Sequence, residues 1–346
     1  MKNIKHKLKK TVRGMAYASV LGLAFASGCG VPGSQGVRGR LGCTPTIKMF
    51  RSTPDYRNLG THNTVSEKKG QIYTCKGGFI DIAHLRKGAD FANVYTKSFF
   101  DYLMEGKTEF SYKMKEPCTY HMKIKYPSNW QNTSEENKKK MLEDIAIQLG
   151  EYSSFLGTSW HEMLTFYGYK MTGIIPEYHS AFTIDDNFSN FLGARIAADV
   201  LKRNKQIFNT GTLQKDVFNR QFTIALRDEL ARLGALSSSG TTNAIRRANS
   251  NDRCLNVGLT GYVDGPLISG LSECSGNATQ YPAPSLNISR YGFSAEVGIE
   301  PHDGAGKRMR RIAGKSELIN PEKDFPAIMQ QIKIDAERKG WRIVNW

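Results

Sequence analysis

Apolar residues recur at helical spacing along three stretches of the chain. Ile82, Leu85, Ala89, Ala92, Phe99 and Leu103 form one stripe, which predicts a helix from about 80 to 104. Tyr152, Phe155, Leu156, Ser159, Met163, Phe166 and Tyr167 form a second, and Phe188, Phe191, Leu192 and Ile196 a third. Ser134, followed by Glu135 and Glu136, predicts a helix start, with the helix running to Gly150 and the Trp160 helix following it. Thr183, answered by Asp186, predicts the start of the helix that runs to about Arg203, and on it Arg195 and Asp199 are spaced as a buried ion pair. Further helices are expected over about 212–234, ending at Gly234, and over 324–339, stopped by Gly340. Alternation on both sides of Glu116, Pro117 and Cys118 predicts a hairpin within 108–126, and 255–270 and 286–299 are strand-like. The expected class is α+β: a mainly helical core with a small antiparallel β portion and a looser C-terminal part. The Ser-rich, Gly-containing run from Ser237 to Thr242 is the best internal boundary, dividing a helical core domain (43–236) from a β- and loop-rich extension with a final helix (237–346).

The first 28 residues change this picture, because they do not read as part of the fold. Lys2, Lys5, Lys7, Lys9, Lys10 and Arg13 precede an apolar or small run from Met15 to Ala26, too short for a stable membrane span. This is the pattern of a signal peptide (1–28). It ends in Ala26-Ser27-Gly28-Cys29, a lipobox-like sequence with Ala in place of the usual Leu, so Cys29 is expected to carry the lipid. A competing cut after Ala24-Phe25-Ala26 would release a soluble protein. The Gly-rich 29–42 stretch suits a tether, and Gly30 in place of Asp favours the outer membrane, facing the periplasm.

Removing the six basic residues of 1–28 from a formal charge of +16 leaves +10 on the mature chain. A solvated basic surface accounts for this; anionic headgroups or envelope polymers near the anchor are the functional alternative, and the basic run from Lys307 to Arg311 is a place to touch phosphate. No nucleic-acid-binding pattern is present. Of six cysteines, Cys29 goes to lipid and five remain, so at most two disulfides form. Cys254 with Cys274 is the first expectation and Cys75 with Cys118 the second.

Candidate chemistry gathers in two stretches where charged groups sit among apolar ones. Asp81 and His84 are three apart on one helix face, the half-motif by which a helix offers two metal ligands; equally, Asp81 can favour the helix N-terminus and orient a structural His84. Glu162 borders the second stripe, while His161 points off it, and Thr165 stands where a zinc-protease helix would need its second histidine. Glu177 and His179 flank Tyr178 and can project to one side of an extended turn.

The lipobox, Gly77-Gly-Phe-Ile-Asp81-Ile-Ala-His84-Leu-Arg86, Ser159-Trp-His161-Glu162, Glu177-Tyr-His179-Ser-Ala-Phe182 and Asn187-Phe-Ser-Asn-Phe-Leu-Gly193 resemble an uncharacterised bacterial lipoprotein family, domain of unknown function four-zero-five-six. The resemblance spans roughly 43–300. It implies the lipoprotein address and lends weight to the three histidine segments, but no activity.

Three readings follow. The first is a binding or structural envelope lipoprotein whose buried His and Glu residues form a hydrogen-bonded core network. The second is a metal-dependent hydrolase, with zinc or another divalent metal held by His84, His161 and His179 with Asp81 or Glu177, and Glu162 as general base. The third is a Cys75-nucleophile enzyme with a nearby histidine. The spatial expectation is that His84, His179 and Glu162 share one pocket.

Overall fold

The computed structural model describes residues 52–169, 181–182, 185–208, 215–247, 254–256, 273–274, 279, 281–339 and 342–344. The signal segment, Cys29, Cys43, Glu177, His179 and Thr183 lie outside these residues. Strands β1 (Gln71–Thr74) and β2 (Gly78–Asp81) form an antiparallel hairpin that leads directly into α1 (Ile82–Met104). Asp81 accepts the N–H groups of Ala83 and His84, so the carboxylate that looked like half of a ligand pair is also the helix cap.

After α1 come β3 (Glu109–Tyr112) and β4 (Cys118–Lys125), the expected hairpin, and then α2 (Glu135–Phe166). Ser134 caps α2 as its sequence predicts. The expected break at Gly150 is absent, because Gly150 is there for packing: a Cβ would stand 2.1 Å from Thr96 Oγ1 on α1. From Leu142 onward α2 is buried almost all round, as befits a central helix.

Helix α3 (Asp186–Arg203) starts with Asp185 in the capping position, past the expected Thr183. It packs closely on α1 through two glycines: a Cβ on Gly193 would meet the Leu85 carbonyl oxygen at 1.7 Å, and one on Gly88 the Asn190 carbonyl oxygen at 2.2 Å. The expected Arg195–Asp199 pair does not form. Arg195 reaches Glu151 on α2 at 3.4 Å and Asp199 lies 3.9 Å from Lys202, since both side chains stand at the solvent edge of α3.

Helix α4 (Lys215–Arg232) is followed by Gly234 in the left-handed region, φ +71°, which turns the chain back along β1. The Ser-rich run after it forms helix α5 (Ser238–Arg247), with Ser237 Oγ accepting the Gly240 N–H. Strand β5 (Cys254–Asn256) pairs in parallel with β7 (Arg342–Val344). Strand β6 (Ser294–Pro301) joins the β3–β4 hairpin as its third strand, in register from Cys118 opposite Pro301 to Lys125 opposite Ser294. Helix α6 (Gly304–Ile312) follows, and α7 (Pro321–Arg338) begins three residues before its expected start, capped by Asn320.

One hydrophobic cluster joins residues of α1, α2, α3 and α4 to Phe293, Val297, Ile299, Met309, Ile328 and Ile332. Strand β4 turns Cys118, Tyr120, Met122 and Ile124 into this cluster and alternates them with more exposed residues. The architecture is therefore a mainly helical core with small β elements at its margins. No helix among the described residues is long and apolar enough to cross a membrane.

Candidate functional site

The hairpin, α1, α2 and α3 bring four acidic positions together. Gln71 Nε2 donates to Asp81 Oδ2 at 3.2 Å and to Asp185 Oδ2 at 2.5 Å, and Ser189 Oγ accepts the Asp81 N–H at 2.8 Å. His84 Nδ1 lies 3.2 Å from Asp186 Oδ1 and 3.8 Å from Asp81 Oδ2. Asp81, His84, Asp185 and Asp186 are all buried. The shared helix face of Asp81 and His84 is legible from their spacing, whereas Asp186, their partner from α3, reads in sequence only as a helix-start residue.

Glu162 enters the same neighbourhood from α2. Its Oε2 accepts the Phe182 N–H at 2.7 Å. Burial and the negative charge of Asp186 push its carboxyl up to about 7, against the pull of His161, the Phe182 N–H and Lys87. Asp186 thus links His84 to Glu162 electrostatically. His179, the third expected member, lies outside the described residues, as does Glu177.

His161 faces elsewhere, as its wheel position predicts. Its Nδ1 lies 3.1 Å from Glu116 Oε1, in the turn between β3 and β4, and its ring meets Tyr169 edge-on. Burial pushes the Glu116 carboxyl up, but His161 against it, with Lys87 further off, outweighs burial and holds it below the usual carboxylate value. Lys87 is only 2% exposed, its ammonium 5.7 Å from the centre of the Phe91 ring, and its charge reaches both Glu116 and Glu162. Sequence reasoning missed Lys87, although Asp81, His84, Lys87 and Asp90 recur every third residue and so mark a polar ridge along α1.

That ridge leads to a second buried network, also missed. His62 Nδ1 lies 2.8 Å from Glu67 Oε1 and its Nε2 3.0 Å from Asp90 Oδ1. Arg86 pairs with Glu67 and donates to the Leu59 carbonyl oxygen at 3.1 Å. Asn63 Nδ2 donates to Asp90 Oδ1 at 3.0 Å, and the His62 N–H to Thr223 Oγ1 on α4 at 2.9 Å. Burial lowers the proton affinity of His62 against the opposing pull of Asp90. The signal available was the Arg86–Asp90 spacing of four residues beside an apolar stripe; nothing in the aperiodic 52–70 stretch pointed at His62.

The cysteine expectations need correction. Cys75 is bonded to Cys274, so neither Cys254 with Cys274 nor Cys75 with Cys118 is the pairing. The hydrogen bond from Thr279 N–H to the Lys76 carbonyl and the Cys75–Cys274 bond set Thr279 and Cys274 against the end of β1. Cys118 is a buried free thiol in the sheet, and burial pushes it up to about 12, so it is inert. A disulfide-bonded Cys75 also removes the nucleophile reading.

Among the described residues, no group of three or more His, Cys, Asp or Glu side chains is arranged to hold a metal ion. What the cluster offers is proton chemistry: a buried carboxyl poised near neutrality, beside a histidine–aspartate contact and a buried ammonium. A family model described as "Protein of unknown function (DUF4056)" matches residues 52–251, a span that holds both buried networks and ends before β6, α6 and α7. No curated protein and no solved structure matches the chain.

Proposed function

The chain belongs to the DUF4056 family of unknown function, and on that premise we propose that it is a binding or structural lipoprotein of the bacterial outer membrane whose ionisable residues form the polar core of its folded domain. The observation that carries this reading is internal pairing. Asp81 caps α1 and accepts from Gln71, His84 sits against Asp186, His161 against Glu116, and Glu162 takes the Phe182 N–H. Contacts of this kind hold α1, α2, α3 and the hairpin in one arrangement. The envelope address rests on the lipobox ending at Cys29, and the Cys75–Cys274 disulfide suits an oxidising compartment.

A second reading has one observation in its favour. The Glu162 carboxyl at about 7 has the proton affinity of a general base, the role it would hold in a metal-dependent hydrolase. Metal analysis and chelation separate the two. For a polar core, purified full-length protein carries substoichiometric metal and its melting temperature is unchanged by EDTA. One equivalent of bound zinc, with a large loss of stability on chelation, would replace the first reading by the second. Cys29→Ala tests the address: the processed variant should leave the membrane fraction without detergent, and continued detergent-only extraction counts against lipidation.

A further inference from the structure

A cavity of about 410 Å³ lies between α2, α7 and the 283–285 segment, and none of its lining residues belongs to either charge network. Its volume falls in the range of small-molecule sites, about 300–1,000 Å³. The two helices lie side by side in the same direction. Glu322 acts on the Tyr152 phenol near one end, Trp160 and Phe325 stack at 6.1 Å in the middle, and Asp335 acts on Tyr167 beyond. The cavity is consequently elongated: from Glu322 to Lys333, both on its wall, α7 rises about 16 Å.

The walls are apolar, with Phe155, Leu156, Phe325 and Met329 prominent, and a methionine there adapts to a flexible guest. Among the described residues, nothing pairs with two polar groups on the lining. Ser159 Oγ is buried and has no hydrogen-bond partner among the described residues, an arrangement that costs free energy unless a guest supplies one. Lys333, half-buried at the far end, has no carboxylate partner among the described residues.

We propose that this cavity binds a long-chain monocarboxylate, with the chain lying along α2 and α7, the acid group at Lys333, and the Ser159 hydroxyl as the hydrogen-bonding group on the wall. The site is independent of the polar core, so its failure would leave that reading untouched. The full chain carrying Cys29→Ala, which avoids detergent, is titrated with 11-(dansylamino)undecanoic acid, and the probe is then displaced by dodecanoic acid or 1-dodecanol. Saturable one-to-one binding is expected. Leu156→Trp, which fills the cavity, abolishes it; Lys333→Ala weakens dodecanoate about tenfold and leaves dodecanol unchanged, as the loss of one charge-assisted contact requires. Should Leu156→Trp not fold, the change at half-buried Lys333, at the end of the cavity, carries the test. Non-saturable uptake overturns the proposal, and so does saturable binding that Lys333→Ala leaves unchanged for the acid.

Discussion

The network around His62 and the cluster around Glu162 are both buried and both anchored on α1, yet they balance charge differently. In the first, Glu67 and Asp90 face the Arg86 guanidinium and the His62 imidazole in direct contact, with Asn63 supplying a further donor. In the second, among the described residues, Asp81, Asp185, Asp186 and Glu162 stand with the His84 imidazole, and Lys87 acts on Glu162 from further off. Desolvating a carboxylate is costly unless a partner repays it. The first network meets that cost with direct contacts to a guanidinium, an imidazole and an amide; the acid-rich one meets it by holding a proton.

The largest expected effect separates the two plans by sign. Arg86→Met strips Glu67 of its guanidinium inside the protein and should cost about 3–5 kcal/mol in urea unfolding. Glu162→Gln keeps the shape and removes a like charge beside Asp186, so at pH 8 it should be neutral or stabilising. Equal losses in both variants would erase the distinction. Next in size is overpacking: Gly193→Ala drives a methyl into the Leu85 carbonyl and should cost about 1–3 kcal/mol by separating α1 from α3. Because α3 carries Asp186, this variant should also shift the Glu162 titration, while the His62 network, whose partners lie on other elements, keeps its own.

The pH dependence gives smaller and opposite slopes. Glu162 has its folded-state value raised, so the folded protein holds the extra proton; its contribution is full below the ordinary glutamate value and is lost as pH rises to about 7. His62 has its value lowered, so its contribution is full above the ordinary imidazole value of about 6.5 and is lost as pH falls below it. Urea midpoints measured from pH 5 to 8 should therefore lose their alkaline limb in Glu162→Gln and their acid limb in His62→Gln.

How much of this was readable beforehand depended on whether a position answers to its neighbours in sequence or to a distant partner. The stripes on α1 and α3, the cap at Ser134 and the turn at Gly234 are local decisions, and the structure has them where the spacing puts them. Gly150 did not, since its role is set by Thr96 on another helix, and a glycine that admits a neighbour looks the same in sequence as one that ends a helix. Asp81, His84 and Glu162 stood out because charge among apolar residues is locally visible. Their partners Asp186 and Glu116 were hidden, as was His62, because contact across elements leaves no spacing to read. The Cys75–Cys274 bond, 199 residues apart in sequence, was out of reach for the same reason.

Lys87→Met is the finest probe of the acid-rich plan, since it removes a cation that draws Glu162 downward and should move its titration above the wild-type position. The most direct test is the wild-type titration itself, followed through the Glu162 side-chain carboxyl by ¹³C NMR with Glu162→Gln assigning the resonance. A midpoint near 7 is the predicted result. A midpoint at the ordinary glutamate value of about 4.3 would contradict the account, because burial and the charge of Asp186 would then not be raising it.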